Sequence, residues 1–333
     1  MRFARRVVAA GALLGLIMAS AAQAQEWGRA VQNSLRCYIV DGWVTFDAAR
    51  LANIGPFDNK ARRGAGQESL SVREENGQYV LTYERPTNDG QLNFEVAASG
   101  GRVLLRRTPR AGAAAPAVEF KQVTNERITL TLGAGAGQQV FRTRSIWQLL
   151  ITQPKECQQH LLPLVEMLRP NWNLAETAAR VEEQLQQDAN AYAAANRAHW
   201  ATLVVQLGDE SFAKREAADR ALRTGNAGAI AYLRQLDVDH LDTEQQFRVG
   251  RILDAMPVQN GDDSVEQVAA TLATDPSVWL ALLSRPDPST RRTAARELAN
   301  LLGQSIAVDP AADPDSQKDK REQLRARIAE KEK

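Results

Sequence analysis

Four arginines, Arg102, Arg106, Arg107 and Arg110, fall within one nine-residue stretch. Guanidinium groups are planar forks that grip carboxylates and phosphates, so this cluster suits an anionic surface such as envelope lipid or glycan. Lys60, Arg62 and Arg63 add positive charge in a segment that reads as a loop. The competing reading is a solvated sheet face. Cys37 and Cys157 are the only cysteines and stand 120 residues apart. In an oxidising compartment they can form a disulfide, which for so long a loop contributes about 4–5 kcal/mol in the chain-entropy account. The alternative is two buried thiols. Cys157 also precedes His160 by three residues, a spacing that on a helix puts thiol and imidazole on one face. A structural or disulfide role is the preferred reading of Cys157.

Other chemistry-bearing patterns are weaker. The run Asp237-Val238-Asp239-His240-Leu241-Asp242 holds metal-ligand types, but between helices such aspartates serve as caps and turn formers. Gly133-Ala134-Gly135-Ala136-Gly137 matches neither the dinucleotide fingerprint nor the phosphate loop, and it lies between expected strands. No Gly-x-Ser-x-Gly elbow accompanies His160, His199 and His240. No catalytic residue, metal or cofactor is nominated.

These residues need a scaffold. The chain has 333 residues, which predicts about two folded units. Its 41 Lys+Arg against 40 Asp+Glu give a net charge of +1, which argues against a nucleic-acid binder. Residues 1–24 carry three arginines, an apolar run and the small-residue end Ala22-Gln23-Ala24, the layout of a secretory signal peptide. Export to the periplasm or the extracellular space is expected, with no transmembrane segment after signal removal. The remaining charge is polarised. Residues 25–150 carry net +4 and residues 151–333 net −6.

From Ser69 to about Arg142 apolar residues alternate with polar ones, as in Leu92/Phe94/Val96 and Ile128/Leu130/Leu132, with Asn76-Gly77 and Asn88-Asp89-Gly90 as turn signals. Six or seven antiparallel strands with one wet face are expected. Near Ser145 the period becomes helical. Pro163 is expected to kink the first helices. Farther on, Asp242/Gln245 and Ser264/Gln267 read as capping boxes, and Asp275-Pro276 and Asp287-Pro288 as N-caps followed by an N1 proline. Lys214-Arg215-Glu216-Ala217-Ala218-Asp219-Arg220 is echoed 77 residues later by Arg291-Arg292-Thr293-Ala294-Ala295-Arg296-Glu297. That distance fits two helical hairpins.

The segment Leu207-Gly208-Asp209-Glu210-Ser211-Phe212-Ala213-Lys214-Arg215-Glu216-Ala217-Ala218, with Ala221-Leu222, resembles the opening of HEAT-like repeats in uncharacterised secreted planctomycete proteins. The resemblance covers about residues 196–303. Arg285-Pro286-Asp287-Pro288 departs from it. It implies a stacked-helix binding or scaffold role with no catalytic residues to carry over. The expected fold class is α+β: an N-terminal antiparallel β domain followed by a HEAT-like α-helical repeat region. The expected segments are a signal peptide (1–24), the β domain (25–144), connecting helices (145–195), the repeats (196–303) and a charged tail, disordered or a single helix (304–333). The expected function is that of an exported non-catalytic interaction or scaffold protein. Its partner is expected to be a protein or peptide, with an anionic envelope surface as a further contact; Trp200 and Trp279 are expected to pack in the core. An enzyme or accessory with a site between the domains, and a self-associating envelope component, are the alternatives.

Overall fold

The computed structural model describes residues 37–46, 56–63, 66–75, 77–97, 101–166, 168–169, 171–190, 193–224, 227–234, 236, 240–254 and 262–331. The expected signal peptide lies outside them. Antiparallel strands occupy 37–143 and helices follow, so the class is mixed α and β. Among the described residues no helix is long and apolar enough to cross a membrane. The chain divides into two compact units, Met1–Ala175 and Glu176–Lys333.

The first unit holds two sheets. β1 (Cys37–Val40) and β2 (Trp43–Phe46) form a hairpin. Its turn residues Asp41 and Gly42 both have positive φ, at 53° and 77°, as a two-residue hairpin turn requires. The second sheet has eight strands: β3 (Phe57–Arg63), β4 (Gly66–Glu75), β5 (Gln78–Thr87), β6 (Gly90–Ala97), β7 (Arg102–Pro109), β8 (Val118–Val123), β9 (Ile128–Leu132) and β10 (Gln139–Thr143). Each strand pairs with its sequence neighbours, so the sheet is an open meander with β3 and β10 at its edges. Lys60, Arg62 and Arg63, expected in a loop, lie on edge strand β3. An edge strand needs only one partner and accepts charged residues, so it need not show the apolar alternation that the other strands do.

Register sorts the sheet into two faces. Leu81, Val96, Phe94, Leu105, Phe120 and Leu130 share one face, each at most 2% exposed. Glu84, Asn93, Arg106, Glu119 and Thr131 form a polar row on the other. The hairpin covers the apolar face. Phe46 packs on Phe94 with ring centroids 6.0 Å apart. The fully buried Gln122 amide accepts from the Val44 N–H at 3.0 Å and donates to the Val44 carbonyl at 2.8 Å. One side chain thus satisfies a backbone donor and acceptor that would otherwise be buried unpaired.

Helix α1 (Ile146–Thr152) is capped by Ser145 and has six of its seven residues buried. Its first N–H donates to the Gly42 carbonyl at 2.9 Å. Gly42 must be glycine: a Cβ there would lie 2.3 Å from the Ser145 Cβ, at positive φ. A short turn (Pro154–Glu156), a π-helical turn (Cys157–Leu161) and a further turn (Leu162–Val165) follow. The irregularity therefore precedes Pro163, which sits near the start of the last turn, and is taken up by the π-turn. Arg169 Nη1 donates to the Cys37 carbonyl at 3.2 Å. Ties of this kind are why the first unit runs to Ala175 and not only to the expected boundary near residue 145.

Beyond this, helices dominate: α2 (Leu174–Asn190), α3 (Ala193–Leu207), α4 (Phe212–Arg223), α5 (Ala227–Arg234), α6 (Thr243–Asp254), α7 (Val265–Leu272), α8 (Pro276–Leu282), α9 (Pro288–Leu302) and α10 (Lys318–Lys331). The sequence-read caps form. Asp242 and Gln245 satisfy each other's backbone N–H at 2.8 and 3.0 Å. Ser264 and Gln267 make the same box. Asp275 and Asp287 accept from Ser277 and Thr290, each at 2.8 Å. Trp279 is buried with its indole N–H on the Ala273 carbonyl at 2.7 Å, and Trp200 packs on Tyr232. The charged tail is a single helix, α10, with Leu324 and Ile328 buried and α8 among its contacts.

Candidate functional site

The four arginines do not converge. Along β7 alternate residues face opposite ways. Arg102 and Arg106 project from the polar face, where Arg102 bonds Glu95 and Arg106 Nε lies 2.6 Å from Glu119. Arg110 is exposed beyond the strand. Arg107 has the parity of Val103 and Leu105 and sits on the apolar face between Leu92 and Val118. There it is half-buried. Its Nε donates to the Pro116 carbonyl at 3.3 Å, and its Nη2 approaches His160 Nδ1 at 3.3 Å. Arginine cannot accept a hydrogen bond, so in this contact Nδ1 is the acceptor and the ring proton sits on Nε2. Burial and the adjacent Arg107 cation hold the His160 pKa below its ordinary value, against a weaker upward pull from Glu156.

Both cysteines are buried free thiols, with no bridge between them. Cys37 Sγ lies 3.9 Å from the Leu168 carbonyl and Cys157 Sγ 3.6 Å from the Leu149 carbonyl. Burial, aided by Glu156, pushes the Cys157 pKa up to about 12. A thiol so reluctant to ionise is a poor nucleophile, and the His160 side-chain contact is with Arg107 and not Cys157.

In the second unit, two hairpins repeat each other. Arg215 Nη1 donates to the carbonyls of Asp209 and Glu210 at 2.8 and 3.0 Å. Arg291 Nη1 donates to those of Arg285 and Pro286 at 2.9 and 2.6 Å. Each arginine thus clamps the carbonyls six and five residues before it, at the turn entering its helix. The N-caps Ser211 and Asp287 match, as do buried Ala218 and Ala294, and buried Leu222 and Leu298. So do buried Leu203, Val204 and Leu207 of α3 against Trp279, Leu280 and Leu283. Gly208 N and Asp209 N bond Val205 O and Gln206 O; Ser284 N and Arg285 N bond Ala281 O and Leu282 O. All these pairs are 76 residues apart. The 77-residue alignment is off by one: it equates exposed Ala217 with buried Ala294, and exposed Lys214 with buried Arg291.

The first hairpin meets α6 through ions. Asp219, 5% exposed, bonds Arg223 on its own helix and Arg251 Nη2 at 2.6 Å. Arg248, 7% exposed, holds Glu216 at 2.8 Å and Glu244 at 2.6 Å, with Asp219 3.7 Å away. Burial pushes the Asp219 pKa up, but hydrogen bonds from Arg223 and Arg251 outweigh it, and the net shift is downward. Hydrogen bonds that Arg248 donates to Glu216 and Glu244 raise its pKa. Phe212 and Phe247 stand exposed on α4 and α6, at 63% and 64%, with Arg215 over the Phe212 ring.

Comparison with family models, curated proteins and solved structures gave no match. The reading of this chain therefore rests on its own geometry. Among the described residues no group of three or more His, Cys, Asp or Glu is placed to hold a metal, and Asp237–Asp239 of the acidic run lie outside them. Sequence reading passed over the Asp219–Arg248 network. The pairs Asp219/Arg223 and Glu244/Arg248 at four-residue spacing were the available signal. The cross-helix contacts had none.

Proposed function

We propose that this chain is an exported, non-catalytic interaction protein that presents a stacked-hairpin surface from its second unit to a protein or peptide partner. The observation that carries this reading is the pair of hairpins in 76-residue register, each locked at its turn by an arginine clamp. Stacked hairpins of this HEAT-like kind offer long surfaces with distributed contacts and no reaction centre. Two large exposed apolar rings, Phe212 and Phe247, on helices tied by the Asp219–Arg248 network are suited to act as anchors on such a surface. Export follows from the reading of residues 1–24.

The test is saturable capture from an envelope extract by the chain without residues 1–24. The reading predicts one or a few partners retained by the wild type and lost by a Phe212→Ser/Phe247→Ser variant of unchanged circular dichroism. No saturable partner, or equal capture by the variant, contradicts it.

A further inference from the structure

In the first unit, Arg107 is an inward-facing arginine on the mostly apolar sheet face, which also carries Glu68, Arg85 and Gln122, and among the described residues no carboxylate lies within ion-pair distance of it. A guanidinium placed beside an imidazole is an unusual pairing, because protonating the ring would set two cations side by side. The carboxylates acting on the pair are Asp89, in the turn between β5 and β6, and Glu156, just before the π-turn that carries His160. Arg107 Nε is spent on the Pro116 carbonyl and Nη2 on His160, which leaves Nη1 of the fork with no acceptor among the described residues. Both side chains are half-buried, so solvent-borne ligands reach them.

We propose that Arg107 and His160 form an oxyanion site that takes the phosphoryl or carboxylate group of a small ligand. Arg107 receives one oxygen through its free Nη1 edge. Protonation turns His160 Nδ1 from acceptor to donor, and a second oxygen then bridges ring and guanidinium. No covalent bond changes; a proton is taken up from solvent as the anion binds. Anion binding and His160 protonation therefore favour each other. The site is independent of the helical surface proposed above and does not need that reading to hold.

The chain has three histidines, His160, His199 and His240, so each ring can be followed by NMR and assigned with a His160→Gln variant. The measurement is the titration midpoint of each in a weakly coordinating buffer, then with inorganic phosphate or with acetate at matched ionic strength. Phosphate is expected to raise the His160 midpoint by about half a pH unit, equivalent to roughly threefold tighter binding to the protonated form. His199 and His240 should not move. A shift with acetate as well extends the site to carboxylates; a shift with phosphate alone restricts it to phosphoryl groups. Arg107→Gln should raise the midpoint without ligand, by removing the cation, and abolish the anion response; Arg107→Lys should retain part of it. An unmoved His160 with both anions, or an equal response in folded Arg107→Gln, overturns the proposal.

Discussion

The hairpins α3–α4 and α8–α9 share a turn, an arginine clamp and a buried Ala/Leu pair, yet they dock on their neighbours by different means. The first faces α6 through a charge network centred on nearly buried Asp219 and Arg248, with the more exposed Arg223, Arg251, Glu216 and Glu244 around them. The second meets α2 through one bidentate ion pair and two single hydrogen bonds: Arg285 on Glu182, buried Thr290 on Gln186 and exposed Arg296 on the Ala189 carbonyl. Arg291 also reaches forward to the Pro310 carbonyl at 2.8 Å. The turn is therefore specified locally and identically, while the flanks are free to differ.

The comparison can be broken first at the charges. Asp219→Ala removes the nearly buried carboxylate that holds Arg223 and Arg251, while Arg248 keeps Glu216 and Glu244, and should cost about 3 kcal/mol in urea unfolding. Glu182→Ala, on the other hairpin's more open contact, should cost about 1 kcal/mol. Equal losses would erase the distinction between the two docking modes.

The clamps come next. Arg291 is buried and holds three carbonyls, so Arg291→Ala should cost about 3 kcal/mol and Arg215→Ala about half that. Lysine should rescue neither, because one ammonium does not reproduce the fork.

Acid should then act on both hairpins, since Asp287 at the second hairpin's N-cap is also held well below the ordinary carboxylate range by hydrogen bonds from Ser289 and Thr290. The folded-state pKa of Asp219 is depressed, so its contribution is present above the ordinary carboxylate range and lost as pH falls through its lower, folded value. Unfolding midpoints measured between pH 7 and pH 3 should fall less steeply in Asp219→Asn than in the wild type.

The smallest effect separates the caps. Asp287 accepts from the Thr290 N–H, whereas Ser211 makes no side-chain cap bond and Asp209 instead accepts from the Ser211 N–H. Asp287→Ala should lower the thermal midpoint measurably, and Ser211→Ala should leave it unchanged.

Legibility followed the range of the interaction. Capping boxes and Asp-Pro starts act over three residues, and the sequence reading placed them correctly. The inward turn of Arg107 was legible too, since it shares the parity of Val103 and Leu105, but clustering it with Arg102 and Arg106 by position hid that. The one-residue slip in the repeat arose because the alanines come in adjacent pairs. Burial, the arginine clamps and the turn hydrogen bonds show that Ala218, not Ala217, matches Ala294. Strand β3 was missed because a charged edge strand carries no apolar period. The cross-helix ions join residues some thirty positions apart, and no local rule finds them.

The central claim is that the second unit repeats one hairpin at a 76-residue interval under an arginine clamp. A crystal structure of the chain without residues 1–24 tests it most directly. The account predicts that the backbone of 200–223 superposes on 276–299 at that shift, with both guanidinium groups on the carbonyls five and six residues upstream. A better superposition at another shift, or either guanidinium turned to solvent, would contradict it.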